Sequence, residues 1–444
     1  MKKRDTFFIG LMLFSMFFGA GNLIFPPVLG AQSGSSFWPA ITGFILTGVG
    51  LPFAVLLAVS LVKGGAQTIG NRVHPIFSTI FMIIIYLSIG PFLAIPRNAN
   101  VAYEMGIKPY LGADASGRSL FLFTLIFFVL VFLISLNPSY MEKYMGRWIT
   151  PVLLVSMVAL CTTGLISFHS QPGAPQGGYA DGAFFKGFLE GYNTMDALAS
   201  LAFGIVILTA VSQKGVSSRK QLTSYTLKAA LVAGFLLALV YVTLGLMGAR
   251  MPAADFESGT DLLSAASVSL FGSSGTALLG IIFTLACFTT VVGLTTACGQ
   301  YFSKLLPKAG YKVIVLAVTL IGLTLSNMGL SQILKVSVPF LVMAYPLTIV
   351  LVALTFFSKY FNNSRKVYGM AILFTGVFAL LDGLGQFGID LGPAGAFNKA
   401  LPLASSGLQW VLPALLGVLI GLFLEKVMPG GKEEGKENVK RKVS

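Results

Sequence analysis

The chain has 444 residues, of which 55% are hydrophobic and 10% charged, whereas a soluble domain carries about a quarter charged residues. That excludes a soluble globular protein. Apolar runs of about twenty residues, the length that crosses roughly 30 Å of hydrocarbon, recur along the chain and exclude a single-anchor protein as well. The formal net charge of +14 does not mark a nucleic-acid binder. With an inner amino terminus and twelve spans, all of the 30 Lys and Arg except Arg97, Lys108, Arg118, Lys186, Arg250, Lys335 and Lys399 fall on the inner side, which is the asymmetry of a correctly oriented membrane protein.

In chain order, apolar runs predict spans near 6–31, 37–62, 76–105, 119–136, 147–168, 184–211, 221–248, 275–303, 311–330, 333–358, 367–384 and 409–428. The expected fold is all-α: a polytopic membrane protein of twelve transmembrane helices in one domain over 1–428. Residues 429–444 follow as a polar cytoplasmic tail, so both termini are expected inside. Basic residues precede span one as in a signal peptide, but Gly-Asn-Leu-Ile-Phe-Pro-Pro replaces a small-residue cleavage site and no cleavage is expected.

Span one carries SMFFGAGNLIFPPVLG at mid-depth, with Gly19, Gly21, Asn22 and a proline pair. Backbone inside hydrocarbon must satisfy its own hydrogen bonds, so a break there belongs where the chain lines a polar cavity. A helix restarting at Asn22 presents the amides of Gly21 and Asn22 to a carboxylate. The end of the preceding half-helix offers carbonyls, such as those of Ser15 and Phe18, to a cation. Close helix packing through small residues is the alternative reading.

Span three contains IPRN, with Arg97 and Glu104 seven residues apart. That spacing suits a structural pair or an outer gate. Span six repeats the pattern of span one, with Gly187, Gly191, Asn193 and Asp196 interrupting it. Interrupted spans at positions one and six predict two five-span repeats of inverted topology, about 6–168 and 184–358, with extra helices over 367–428. Asp196 is an ionisable group near mid-membrane, a functional position by default. It is placed to pair with an ammonium group, to bind a proton, or to cap the second half of span six.

The outer loop 249–274 contains Asp255, Glu257 and Asp261, read as an acidic vestibule for cations or as a solvated loop. In span eight, Thr289 and Thr290 offer adjacent hydroxyls and Ala286 a local carbonyl, a set of oxygens suited to a small hard cation. The alternative is threonine bonding back to its own helix. Cys161, Cys287 and Cys298 fall in apolar spans and are read as packing residues. His74 and His169 lie in loops, which argues against a histidine proton relay. The chain has no HExxH and no G-x4-GK[ST] loop, which argues against an enzyme.

GLMLFSMFFGAGNLIFPPVLG, IPRNANVAYE and TMDALASLAFGIVIL together resemble the bacterial branched-chain amino acid to cation symporter family, and the likeness runs across essentially the whole chain. The resemblance implies the five-plus-five inverted-repeat fold of LeuT-like transporters in a bacterial plasma membrane. It implies symport of leucine, isoleucine and valine with Na+ or H+, without a cofactor beyond that coupling ion. It assigns substrate roles to Ala20, Gly21 and Asn22. It also assigns a sodium site to the carbonyls of Ser15, Phe18 and Ala286 and the hydroxyls of Thr289 and Thr290. Phe203-Gly204 resembles the end of an unwound stretch, which sets Ala197, Ser200 and Phe203 beside an aliphatic side chain, while Asp196 keeps a protonic or ammonium-binding role. A transporter or exporter of another small amphipathic amino acid is the competing reading.

Overall fold

The computed structural model describes residues 2–112, 116–251, 256 and 258–427. The polar tail 429–444 and, of the expected acidic vestibule, Asp255 and Glu257 lie outside the described residues. Among the described residues twenty α-helices run in the order α1 (Lys3–Phe17), α2 (Ala20–Ser33), α3 (Phe37–Ile45), α4 (Leu51–Leu61), α5 (Ala66–Asn71), α6 (Pro75–Leu87), α7 (Ala94–Gly106), α8 (Lys108–Leu111), α9 (Gly117–Ser135) and α10 (Thr150–Ser167). They continue as α11 (Gly178–Glu190), α12 (Asp196–Gln213), α13 (Arg219–Arg250), α14 (Gly259–Phe271), α15 (Ser273–Leu305), α16 (Gly310–Ser326), α17 (Leu330–Phe357), α18 (Arg365–Gln386), α19 (Gly392–Ala400) and α20 (Val411–Val427). Among the described residues nine helical runs are long and apolar enough to cross a bilayer, and most of the described part of each of the twelve expected segments is helical.

The core is built from the broken elements together with α7 and α15. In the most apolar windows of α12 and α15 two-thirds of the residues are buried inside the protein, against 22% in α9, which faces outward. A helix apolar all round must find protein on every side or lipid on one. α1, α2, α7, α12 and α15 take the first option.

α2 lies against α13 at close range. Pro26 and Pro27 fall within α2, and proline frees the carbonyl four residues earlier while its ring widens the helix locally. The neighbouring helix answers with Gly248, where an added Cβ would run into the Pro27 backbone. The three cysteines are free and buried, in keeping with a packing role.

Candidate functional site

α1 stops at Phe17 and α2 starts at Ala20, with Phe18 (φ −73°, ψ 84°) and Gly19 (φ −117°, ψ −162°) as the non-helical link. A new helix leaves its first four amides without intrahelical acceptors. Two of them are taken here by side chains. The Gly19 N–H donates to Asn22 Oδ1 at 3.2 Å and the Ala20 N–H to Asn98 Oδ1 at 2.9 Å. The amides of Gly21 and Asn22 are left over, at the positive end of the α2 dipole. The helix thus restarts two residues before the expected Asn22, while the free amides are those the sequence indicates.

The second break runs through a 3-10 turn, Gly191–Thr194, into Met195, whose φ of 65° and ψ of 6° are left-handed. A buried non-glycine residue held there carries strain of order 1–3 kcal/mol and marks a position fixed by its surroundings. α12 is then continuous from Asp196 through Phe203 and Gly204. The unwound stretch therefore ends at Met195, not at Phe203-Gly204 as the resemblance implied. Glycine at 204 serves packing instead, since an added Cβ would press on the Val59 side chain.

Asp196 does not cap its own helix. Its Oδ2 accepts from Asn22 Nδ2 at 2.6 Å and from the Tyr241 hydroxyl at 3.2 Å, and Asn22 Nδ2 also contacts that hydroxyl. The carboxylate is 3% exposed. Asn22 therefore ties the link between α1 and α2 to the first residue of α12.

These groups surround a closed chamber of about 20 Å³, room for about one water. Gly19, Ala20, Gly21, Asn22, Arg97, Asn98, Thr194, Asp196 and Thr290 supply its polar wall, and Met16, Phe17, Ile89, Met195, Ala199, Phe203 and Leu294 its apolar wall. Of the expected substrate residues, Ala20, Gly21, Asn22, Asp196 and Phe203 line it. Ala197 and Ser200 do not. Both are wholly buried, and the Ser200 hydroxyl donates to the Asp196 carbonyl at 2.8 Å; the helical period gives the chamber Ala199 in their place.

Beside the chamber the Thr289 hydroxyl lies 2.8 Å from the Ser15 carbonyl and 3.0 Å from those of Leu285 and Ala286, and the Thr290 hydroxyl lies 3.4 Å from Ser15 O. Four of the five expected cation donors thus gather in one place. Phe18, the fifth expected donor, is a residue already off the helix in the link between α1 and α2.

Arg97 and Glu104 do not pair. Glu104 is tied to Lys108 at 2.5 Å near the end of α7. Arg97, 5% exposed, donates from Nη2 to the Asn193 carbonyl at 3.0 Å in the second break. Two turns of α7 account for the difference, because they place the arginine at chamber depth and the glutamate toward the surface. Arg97, Asn98 and Tyr241 are site residues that were not assigned from the sequence. IPRN signalled the first two, whereas a tyrosine in an apolar helix carries no signal.

Two larger cavities lie on the side expected to be cytoplasmic. One of about 840 Å³ is walled by Tyr86, Leu201, Ile205, Arg219, Tyr301 and Lys304 among others, and one of about 340 Å³ by Met12, Glu142, Gln213, Lys214 and Gln300 among others. Phe17 and Phe203, edge to face at 5.3 Å, sit in the chamber wall.

Discontinuous helices crossing over a closed polar chamber, in an all-helical membrane protein, define a transporter of LeuT-like fold. A family model described as "Branched-chain amino acid transport protein" matches residues 2–428. The chain is 45% identical over 424 residues to the branched-chain amino acid permease BraB of Bacillus subtilis (strain 168), covering 95% of each protein. It is 44% identical over 420 residues to the permease BrnQ of the same strain, covering 94% of this chain and 96% of that one. Among solved structures it resembles Mhp1, a nucleobase-cation-symport-1 family transporter in a closed conformation with bromovinylhydantoin bound. The TM-score is 0.61 at 15% identity, over 96% of this chain and 93% of that one, a likeness of fold. The chain belongs to the branched-chain amino acid transport protein family, whose members are permeases and not enzymes.

Proposed function

We propose that this protein imports leucine, isoleucine and valine across a bacterial plasma membrane by alternating access, driven by symport with Na+ or H+. The observation that carries the reading is the chamber between the two breaks. It has free helix-start amides for a carboxylate, a carboxylate for an ammonium group, and Met16, Phe17, Phe203 and Leu294 for an aliphatic side chain. The relatives' substrate class fits that arrangement. Both termini lie in the cytoplasm on this reading, and spans one to five and six to ten are inverted repeats.

For the coupling ion, the carbonyls of Ser15, Phe18 and Ala286 with the hydroxyls of Thr289 and Thr290 form an all-oxygen set suited to sodium, which travels as cargo. A specific observation favours a proton as the other candidate: Asp196 faces the chamber and sits in a hydrogen-bonded trio with Asn22 and Tyr241. Uptake of radiolabelled leucine into proteoliposomes, with a sodium gradient and a pH gradient imposed separately, tests the proposal. Accumulation under one gradient is expected. Absence of accumulation under both rejects symport.

A further inference from the structure

Arg97 is a buried guanidinium without a carboxylate partner. Arginine stays charged in proteins and offers five N–H donors in a rigid fork. Here one donor reaches the Asn193 carbonyl, and the guanidinium carbon lies 5.9 Å from the Phe25 ring centre. Among the described residues, no carboxylate oxygen lies within 4.0 Å of its nitrogens; the ion pairs of Glu104, Glu142 and Glu190 are made with lysines and Arg147. Asp196 acts on this charge from beyond contact distance, and a buried charge with no partner in contact is costly. Its location is therefore informative.

The guanidinium lies against Gly21, where any side chain would collide with Nη2. The next residue of α7, Asn98, takes the Ala20 amide. Consecutive residues of α7 thus meet consecutive residues of α2 at the point where the amides of Gly21 and Asn22 are free. Asp196 supplies the negative charge of the same chamber, so the chamber has a positive and a negative pole.

Building on the branched-chain amino acid reading, we propose that Arg97 binds the carboxylate of the transported amino acid, bridging it to the free α2 amides, and so selects zwitterionic amino acids over neutral or purely cationic analogues. The carboxylate takes the place of the Asn193 carbonyl on the guanidinium. Loading then releases the turn before Met195 from α7. Arg97 is in this way a specificity residue as well as a contact between α7 and the second break.

The test is displacement of radiolabelled L-leucine from the purified full chain in lipid nanodiscs by L-leucine and by L-leucinamide, which keeps the ammonium and side chain and lacks the carboxylate. The wild type is expected to prefer leucine by roughly 10- to 100-fold, the worth of a hydrogen bond to a charged group. In Arg97→Gln the two affinities converge, and Arg97→Lys, with a point charge instead of a fork, restores part of the preference. An Arg97→Gln protein that keeps the wild-type preference overturns the inference. If that variant does not fold, Arg97→Lys decides: a ratio lowered several-fold supports the role and an unchanged ratio removes it. Wild-type protein that binds neither probe overturns the branched-chain amino acid reading itself, a separate outcome from retained selectivity in the variants.

Discussion

Asn22 donates its side-chain amide to Asp196 at 2.6 Å, and 174 residues of chain separate the two. The bond joins the restart of the first broken span to the restart of the second, and Tyr241 of α13 closes the triangle. Replacing Asp196 by Asn keeps an acceptor for Asn22 and removes the charge. Leucine binding to purified Asp196→Asn is expected to weaken roughly 10- to 100-fold, as for loss of a charged hydrogen bond, with little change in melting temperature. Wild-type affinity in this variant would remove the ammonium role.

The Thr289 hydroxyl lies within 3.0 Å of three carbonyls, and the Thr290 hydroxyl lies 3.4 Å from one. Thr290→Ala therefore tests the cation site with the smaller structural cost. If sodium is the coupling ion, its half-activating concentration for leucine uptake should rise at least about 10-fold, while expression changes little. Unchanged sodium activation in proteoliposomes would reject Thr290 as a ligand.

Gly21 and Gly19 should respond differently to alanine. At Gly21 the added methyl meets the Arg97 guanidinium and comes within 3.0 Å of the Asn193 carbonyl, so Gly21→Ala should abolish leucine binding. At Gly19 the methyl falls 2.7 Å from Asn98 Oδ1 and 2.9 Å from Thr290 Oγ1. Both are side-chain atoms that can shift. Gly19→Ala should keep measurable leucine binding and lose ion activation; equal effects of the two variants on both readouts would contradict the geometry.

Gly248 is a purely structural counterpart. Its added Cβ would meet main-chain atoms of Pro27, and overpacking of this kind costs typically about 1–3 kcal/mol. Gly248→Ala should lower the melting temperature of the purified protein without altering the preference for leucine over leucinamide. A changed preference at native stability would show that this contact belongs to the transport machinery.

The all-helical, many-spanning architecture was legible because a bilayer demands about twenty apolar residues per crossing, and polar or Gly-Pro punctuation bounds each run. The first break was legible because Gly19 tolerates the non-helical turn and Asn22 supplies the side-chain acceptor that a new helix start needs. The second break was legible at Gly191 and Asn193 but obscured at its end, because Met195 adopts a left-handed conformation that residue type does not advertise. Phe203-Gly204 attracted attention in its place, although that glycine answers to Val59. Arg97 and Glu104 were linked by spacing alone. Seven residues put them on one face of α7 but about 10 Å apart along its axis, so each found a different partner.

A chamber with room for about one water sets the terms on which any passenger enters. On the proposed reading leucine must arrive stripped of its hydration shell, and Phe203, Leu294 and Met16 must yield by the volume of an isobutyl group. The walls act as a yardstick: a shorter aliphatic chain leaves unfilled space and a longer one forces rotamers out of their wells. On that reading discrimination among aliphatic side chains resides in the stiffness of these walls, whereas the breaks would grip what all amino acids have in common.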